Sequence, residues 1–358
     1  MKKFIKKCTV LFLITALMMG IVCFTDTFNI FHYADLRITS SESNKNYIKT
    51  KYIISHPQKF NSFIFGSSRA ERIPPDSLPQ SSDGTKLSWF NMSYSLGTPR
   101  EHLGNLKTFL KNGVDVKYVF IGVDNVSSSE NSSGHDSELL RKPYELSVDD
   151  PLGYYWSYLW NMADIKSLNK LLPQVLDNYT ESSVYAGQKY LFYSWGSCYT
   201  DITIPGTVKE SKFMNAPHWY YKNKEVISDI RDIVSLCKEN DIRLVFFTSP
   251  ILGSVYQDSV YNGEYFDFLK DLASVTEFYN FSGLNAYTTD RKYYSDLSHY
   301  RPYVGNEIEK MIWGSSKEKE AAAAKAANGM SDDTCFGMKT DSSNVDQLIG
   351  KLKKQLAE

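Results

Sequence analysis

Residues 61–72 read NSFIFGSSRAER. Phe63 to Phe65 is a short apolar run that stops at Gly66, and Ser67-Ser68-Arg69 opens the next element. An apolar run without alternation, closed by a turn residue, is the pattern of a strand buried on both faces of a parallel sheet. Comparable runs recur downstream. Leu87–Phe90 is short, Val116–Val123 contains KYVFIGV, Ile242–Thr248 reads IRLVFFT, and Val275–Phe281 comes last. Between them, Arg100–Leu110, Glu225–Glu239 and Tyr265–Ala273 have helical periodicity. In the second, Val226, Ile230, Ile233, Val234 and Cys237 share one apolar face. Strands alternating with helices predict an α/β domain over residues 59–313, with about five parallel strands covered on both faces. In such sheets ligands bind beyond the carboxyl ends of the strands.

The composition sets limits on function. The chain has 358 residues, 40 Lys+Arg against 41 Asp+Glu, 42% hydrophobic and 14% aromatic residues. Twenty Phe, 25 Tyr and 6 Trp can bury a large core, which excludes disorder as the main state. A net charge of -1 gives no electrostatic case for nucleic acid. Five Cys without a Cys-x-x-Cys pair suggest neither a disulfide framework nor structural zinc. His32, His56, His102, His135 and His218 have no metal-ligand spacing, so no metal and no cofactor are expected.

The ends differ from the middle. Cys8 to Thr25 is an uncharged stretch of 18 residues, preceded by Lys2, Lys3, Lys6 and Lys7. Asp26 and Asp35 follow it, and no basic residue comes before Arg37. Length and charge bias predict an uncleaved single-pass anchor over residues 1–31, with the N-terminus cytoplasmic and the main domain outside. A cleaved signal peptide is the rival, but Met19 to Phe24 offers no small-x-small site. Bulky Val22 before Cys23 also fits a lipoprotein poorly. Residues 32–58 are expected to form a stalk. Residues 314–358 contain one aromatic, Phe336, and are expected to be a flexible or helical tail, native or not, outside the fold. Val345, Leu348, Ile349, Leu352 and Leu356 predict a short amphipathic helix there.

Between Asp124 and about Asn223 the strand–helix alternation fails. A Ser/Asn-rich stretch leads into YYWSYLW and then YLFYSWGSCY. A stretch of ~100 residues is too long for a plain loop, so 124–223 is expected to be an inserted cap subdomain. Its aromatics are expected to form a small core of their own, with sugar stacking as the alternative.

Two segments could carry chemistry. Ser68 follows the first strand, where a serine at a helix start lies near backbone N–H groups that can hold an oxyanion. An ordinary N-cap is the bland alternative. In YYSDLSHYRPYVGNEI, Asp296 and His299 are three residues apart at a turn before Pro302. The carboxylate can hold Nδ1–H of the imidazole and leave Nε2 to take a proton from a serine. Taken alone, this is a structural His beside a local Asp. Together the segments supply a nucleophile, a base and an orienting group.

The order GSS (66–68), GVDN (122–125) and DLSH (296–299) resembles the SGNH, or GDSL-type, hydrolase superfamily. More narrowly it resembles the membrane-anchored branch that holds DltD-like and polysaccharide O-acetylation proteins. The likeness covers roughly residues 1–313. It implies a three-layer flavodoxin-like fold with Ser68 as nucleophile, Asp296 as orienting group and His299 as base. Ser67 stands where the first block usually has Asp. The implied oxyanion hole would draw on Ser68, on Ser93 or Gly97 in FNMSYSLGTP, and on Asn125. Ser93 replaces a usual Gly, and Asp124-Asn125 reverses the usual Asn-Asp. The resemblance implies a membrane-tethered serine esterase or O-acyltransferase acting on acetyl or D-alanyl esters of a cell-envelope polysaccharide or teichoic acid. A membrane-bound O-acyltransferase would be its partner. The alternative is a catalytically inactive SGNH fold that binds polymer or scaffolds that partner.

Overall fold

The computed structural model describes residues 1–26, 28–32, 43–125, 127, 138–162, 190–204, 221, 224–260, 263–330 and 334–357. Asp35, Arg37, His135, His218 and the 163–189 and 205–220 parts of the expected cap lie outside the described residues. The chain divides into two compact units: Met1–Ser55 with Ser133–Tyr193, and His56–Ser132 with Ser194–Glu358.

The second unit holds the sheet. Its strands are β1 (Ser62–Phe65), β4 (Trp89–Asn91), β5 (Tyr118–Val123), β6 (Arg243–Thr248), β7 (Phe278–Asn280) and β8 (Met338–Thr340), and β2 (Ser81–Ser82) with β3 (Thr85–Lys86) forms a separate hairpin. The sheet order is β4-β1-β5-β6-β7-β8; the first five strands are parallel, and β8 is antiparallel to β7. Among the parallel strands this is the order second, first, third, fourth, fifth, that of a common doubly wound sheet. Its switch point lies between β1 and β5, where Phe63 pairs with Val119 and Ile64 with Phe120. Every residue of β1 and β5 is buried, which is why neither alternates in polarity. Phe63 packs on Phe109 of the Pro99–Lys111 helix at 4.8 Å, and Phe120 packs on Phe247 at 4.4 Å and Trp313 at 4.9 Å. The Glu225–Glu239 helix buries Val226, Ile230, Ile233 and Cys237 on the expected face.

The tail departs from expectation. Met338–Thr340 completes the sheet as β8, pairing Phe278 with Thr340 and Asn280 with Met338. The Val345–Ala357 helix buries Val345, Leu348, Ile349 and Leu352, and Phe336 packs on Phe281 at 4.8 Å. An open β7 edge would expose unpaired backbone groups, and β8 satisfies them. The scarcity of aromatics hid this role, because a three-residue edge strand needs few apolar side chains.

His102 belongs to the core behind β1. It is 1% exposed, lies 5.2 Å from Phe65 and 6.0 Å from Tyr94 between ring centres, and neither ring nitrogen has a hydrogen-bond partner. Burial pushes its imidazole down from 6.5 to about 3. The folded state therefore refuses a proton that the unfolded chain accepts. The stability this contributes is complete above the unfolded value and is lost as pH falls from 6.5 toward about 3. Urea midpoints are expected to drop between about pH 7 and about pH 5, with a shallower drop in His102→Met. Equal slopes in the two proteins would remove His102 as the cause.

The first unit holds the apolar N-terminal helix. Lys2–Thr25 is one helix of 24 residues, ~36 Å at 1.5 Å per residue, long and apolar enough to cross a membrane. Phe4, Leu11, Phe12, Leu13 and Leu17 along it are each at least 60% exposed. Asp26 ends the helix at positive φ, and its buried carboxylate accepts N–H bonds from Ile30, Phe31 and His32 at 2.8–2.9 Å. The expected stalk is instead a packed element: the Lys45–Ser55 helix buries Asn46 through Thr50 as well as Tyr52 and Ile53. It packs on the inserted segment through Tyr47, whose ring lies 5.3 Å from Tyr154. Asn44 Nδ2 donates to Tyr158 Oη (2.7 Å) and the Lys142 carbonyl (2.9 Å). The YYWSYLW aromatics thus form a core in part, through Tyr154 and Tyr158, which are 2% and 0% exposed. Residues 194–204 of the expected cap belong instead to the sheet-bearing unit, where Ser197 Oγ donates to the Glu71 carbonyl at 2.7 Å.

Candidate active site

Three loops at the carboxyl edge of the sheet meet around β1. The first is Gly66-Ser67-Ser68-Arg69. Gly66 has φ +148°, and a Cβ there would lie 2.7 Å from Ala70 Cβ and 2.9 Å from the Gly122 carbonyl. Only glycine allows the chain to turn this tightly out of β1 against β5. The turn presents Ser68, partly exposed, and points Ser67, 2% exposed, inward.

The second loop is the hairpin carrying Asp296 and His299. A Tyr294–Tyr300 bridge closes it, and Ser295 N–H donates to the His299 carbonyl at 2.9 Å. Asp296 Oδ1 accepts the N–H groups of Ser298 (2.7 Å) and His299 (2.8 Å). That Asx-type turn brings positions i and i+3 together. Both Asp296 oxygens lie 2.9 Å from His299 Nδ1, and His299 Nε2 lies 2.7 Å from Ser68 Oγ. Burial acts to raise the Asp296 carboxyl, but the bond and charge of His299 and the two N–H groups outweigh it and hold the carboxyl well below its usual range. Asp296 is therefore ionised wherever His299 can act as a base. The side chains of His299 and Asp296 are 23% and 40% exposed, so solvent reaches the relay from one side.

The third loop follows β5. Asp124 Oδ2 accepts from Ser67 Oγ at 2.5 Å and from Arg69 Nη1 at 3.0 Å. Arg69 Nη1 also donates to Asn125 Oδ1 at 2.6 Å. Across the cleft, Arg69 Nε donates to the Ser298 carbonyl at 2.9 Å and Nη2 to Ser298 Oγ at 3.0 Å. One buried guanidinium therefore joins the Ser68 loop, the β5 loop and the Asp296–His299 hairpin. The sequence reading missed it. The available signal was an arginine directly after the serine pair and an uncompensated Asp at the end of a buried strand.

The oxyanion candidates differ in availability. Ser93 N–H donates to Asn91 Oδ1 (3.0 Å) and Gly97 N–H to the Tyr94 carbonyl (3.1 Å), so both serve local turns. Arg69 holds the carbonyl end of the Asn125 amide, which turns Nδ2 away from the guanidinium. Ser68 N–H makes no hydrogen bond within the described residues. Among those residues no group of three or more His, Cys, Asp or Glu could hold a metal ion.

A cavity of about 310 Å³ adjoins the hairpin, lined by Arg72, Tyr199, Asp201, Ser295 and Arg301. The Arg72 guanidinium stacks 3.4 Å above the Tyr199 ring, and Arg301 Nε donates to the Lys292 carbonyl at 3.0 Å. Neither arginine has a carboxylate partner among the described residues.

Fold and site together define an α/β protein with a mostly parallel sheet and a hydrogen-bonded Ser–His–Asp chain at its carboxyl edge. No protein-family model matches the chain, and no curated protein matches it.

Proposed function

We propose that this chain is a membrane-anchored, extracytoplasmic serine esterase or O-acyltransferase of the SGNH type, acting on acetyl or D-alanyl esters of a cell-envelope polymer. The observation that carries this is the Ser68–His299–Asp296 relay, with hydrogen-bond lengths of 2.7 and 2.9 Å. Ser68 Oγ attacks the acyl carbonyl while His299 Nε2 takes its proton. Ser68 N–H faces the developing oxyanion. The alkoxide leaves with the proton held by His299, and an acyl group remains on Ser68. Water or a sugar or polyol hydroxyl then gives its proton to His299 and takes the acyl group, and His299 Nε2 returns that proton to the departing Ser68 Oγ. A polysaccharide or teichoic acid would be the polymer, and a membrane-bound O-acyltransferase the partner.

Labelling with a fluorophosphonate tests this directly. Wild type is expected to label and Ser68→Ala is not. Equal labelling would leave the second reading, an inactive polymer-binding scaffold, whose support is the diversion of the Ser93 and Gly97 N–H groups into local turns.

The Arg72/Arg301 cavity extends the proposal to the substrate. Arg72 and Arg301, which have no carboxylate partner among the described residues, outnumber the one carboxylate of the lining, Asp201, and so complement an anionic group on the acyl carrier or acceptor. Losing one hydrogen bond to a charged group, worth ~1.5 kcal/mol, corresponds to about tenfold. Arg301→Gln is accordingly expected to lower the preference for a phosphate-bearing ester over a neutral one about tenfold in kcat/KM. An unchanged preference ratio would sink the anionic subsite and leave the relay untouched.

A further inference from the structure

The inserted segment carries a surface that the proposed chemistry does not use. In the Pro151–Met162 helix, Tyr154 and Tyr158 face inward, while Leu152, Trp156 and Trp160 are 85%, 60% and 72% exposed. Spacing of four residues puts these three on one stripe, and the two indoles stack with centres 6.4 Å apart. No residue of this helix is charged. Its 12 residues span ~18 Å, too short to cross a bilayer.

Its position is set by the anchor. The Lys2–Thr25 helix is exposed along most of its length and becomes buried only at its C-terminal end, at Val22 and Thr25. The Pro151–Met162 helix packs against the anchor helix. Phe28 and Phe31, just past the anchor's end, place their rings 5.5 Å from Tyr158 and 5.7 Å from Tyr155. The short helix therefore sits at the level where the anchor leaves the hydrocarbon. That is the headgroup zone, where Trp and Tyr are favoured because an apolar ring and a polar N–H or O–H find matching surroundings there.

We infer that the Pro151–Met162 helix is a second membrane contact, lying in the plane of the interface with Leu152, Trp156 and Trp160 against lipid. The occupant of this stripe is the bilayer that receives the anchor. The insertion then fixes the orientation of its own unit on the membrane, which a single spanning helix leaves free to rotate. This inference rests on the reading of the Lys2–Thr25 helix as a membrane anchor and not on the chemistry of Ser68.

The test uses the full chain in phosphatidylcholine vesicles brominated near the carbonyl end of one acyl chain. The anchor helix contains no tryptophan, so lipid-borne quenching of indole emission reports on the body of the protein. Emission is expected to be quenched relative to unbrominated vesicles, and the quenching is expected to be lost in Trp156→Phe/Trp160→Phe. Phenylalanine keeps an apolar ring at both exposed sites, so folding is preserved while the reporters are removed. If vesicle-bound protein shows no quenching, the stripe is covered by something else, such as a second copy or a partner protein, and the inference is overturned. Quenching that survives in the double variant overturns it equally, because another tryptophan would then be the one in lipid.

Discussion

Ser68→Ala is expected to reduce ester cleavage by ~10³–10⁶-fold and to abolish fluorophosphonate labelling. The size of the effect follows from the division of labour in the relay. In the proposed mechanism, removing the hydroxyl leaves His299 no proton to take and no acyl-enzyme to form, so only binding and oxyanion stabilisation remain. Ser67 cannot substitute. It is 2% exposed, and its hydroxyl already donates to Asp124. The adjacent serines thus have opposite surroundings, and the turn at Gly66 separates them by sending one inward and leaving the other beside His299. A Ser68→Ala protein that labels and cleaves like wild type would end the enzyme reading.

Arg69→Met is expected to destabilise the sheet-bearing unit by ~3–5 kcal/mol, because it strips a guanidinium from a buried carboxylate. The side chains of Arg69 and Asp124 are 5% and 1% exposed, so water cannot readily replace the lost partner. Activity is expected to fall as well, since the Ser298 carbonyl and hydroxyl lose the donors that hold the Asp296–His299 hairpin to the Ser68 loop. Arg69→Lys separates these effects. Lysine restores a charge beside Asp124 but cannot reproduce a planar fork that reaches three loops at once. The lysine variant should therefore recover most of the denaturant midpoint and little of the kcat. If Arg69→Lys restored both together, Arg69 would be a structural cation only; if Arg69→Met changed neither, it would have no role in the site.

Much of the site was legible because its signals are local. Gly66 and Ser68 follow an apolar run, and Asp296 and His299 are separated by the spacing of one turn. The oxyanion donors were less legible, because availability depends on where each N–H is bonded. Ser93 and Gly97 occupy plausible positions, yet their N–H groups close turns onto Asn91 and Tyr94. The insertion divided in a similar way. Its aromatic richness was visible, but only packing separates Tyr154 and Tyr158, which are buried, from Trp156 and Trp160, which are exposed.

By itself the sequence determined the elements whose causes are short-range: an apolar N-terminal helix behind four lysines, the five parallel strands as short apolar runs, and the turns that carry Ser68, Asp296 and His299. Tertiary structure alone decided what joins distant segments. Arg69 reaches Ser298, 229 positions away, and Met338–Thr340 closes a sheet begun at Ser62. The expected stalk joins the insertion to form a unit of its own. Periodicity and turn chemistry act over a few residues and can be read directly. A buried charge or an open strand edge must find its partner wherever the folded chain brings one, and that choice is made only when the core closes.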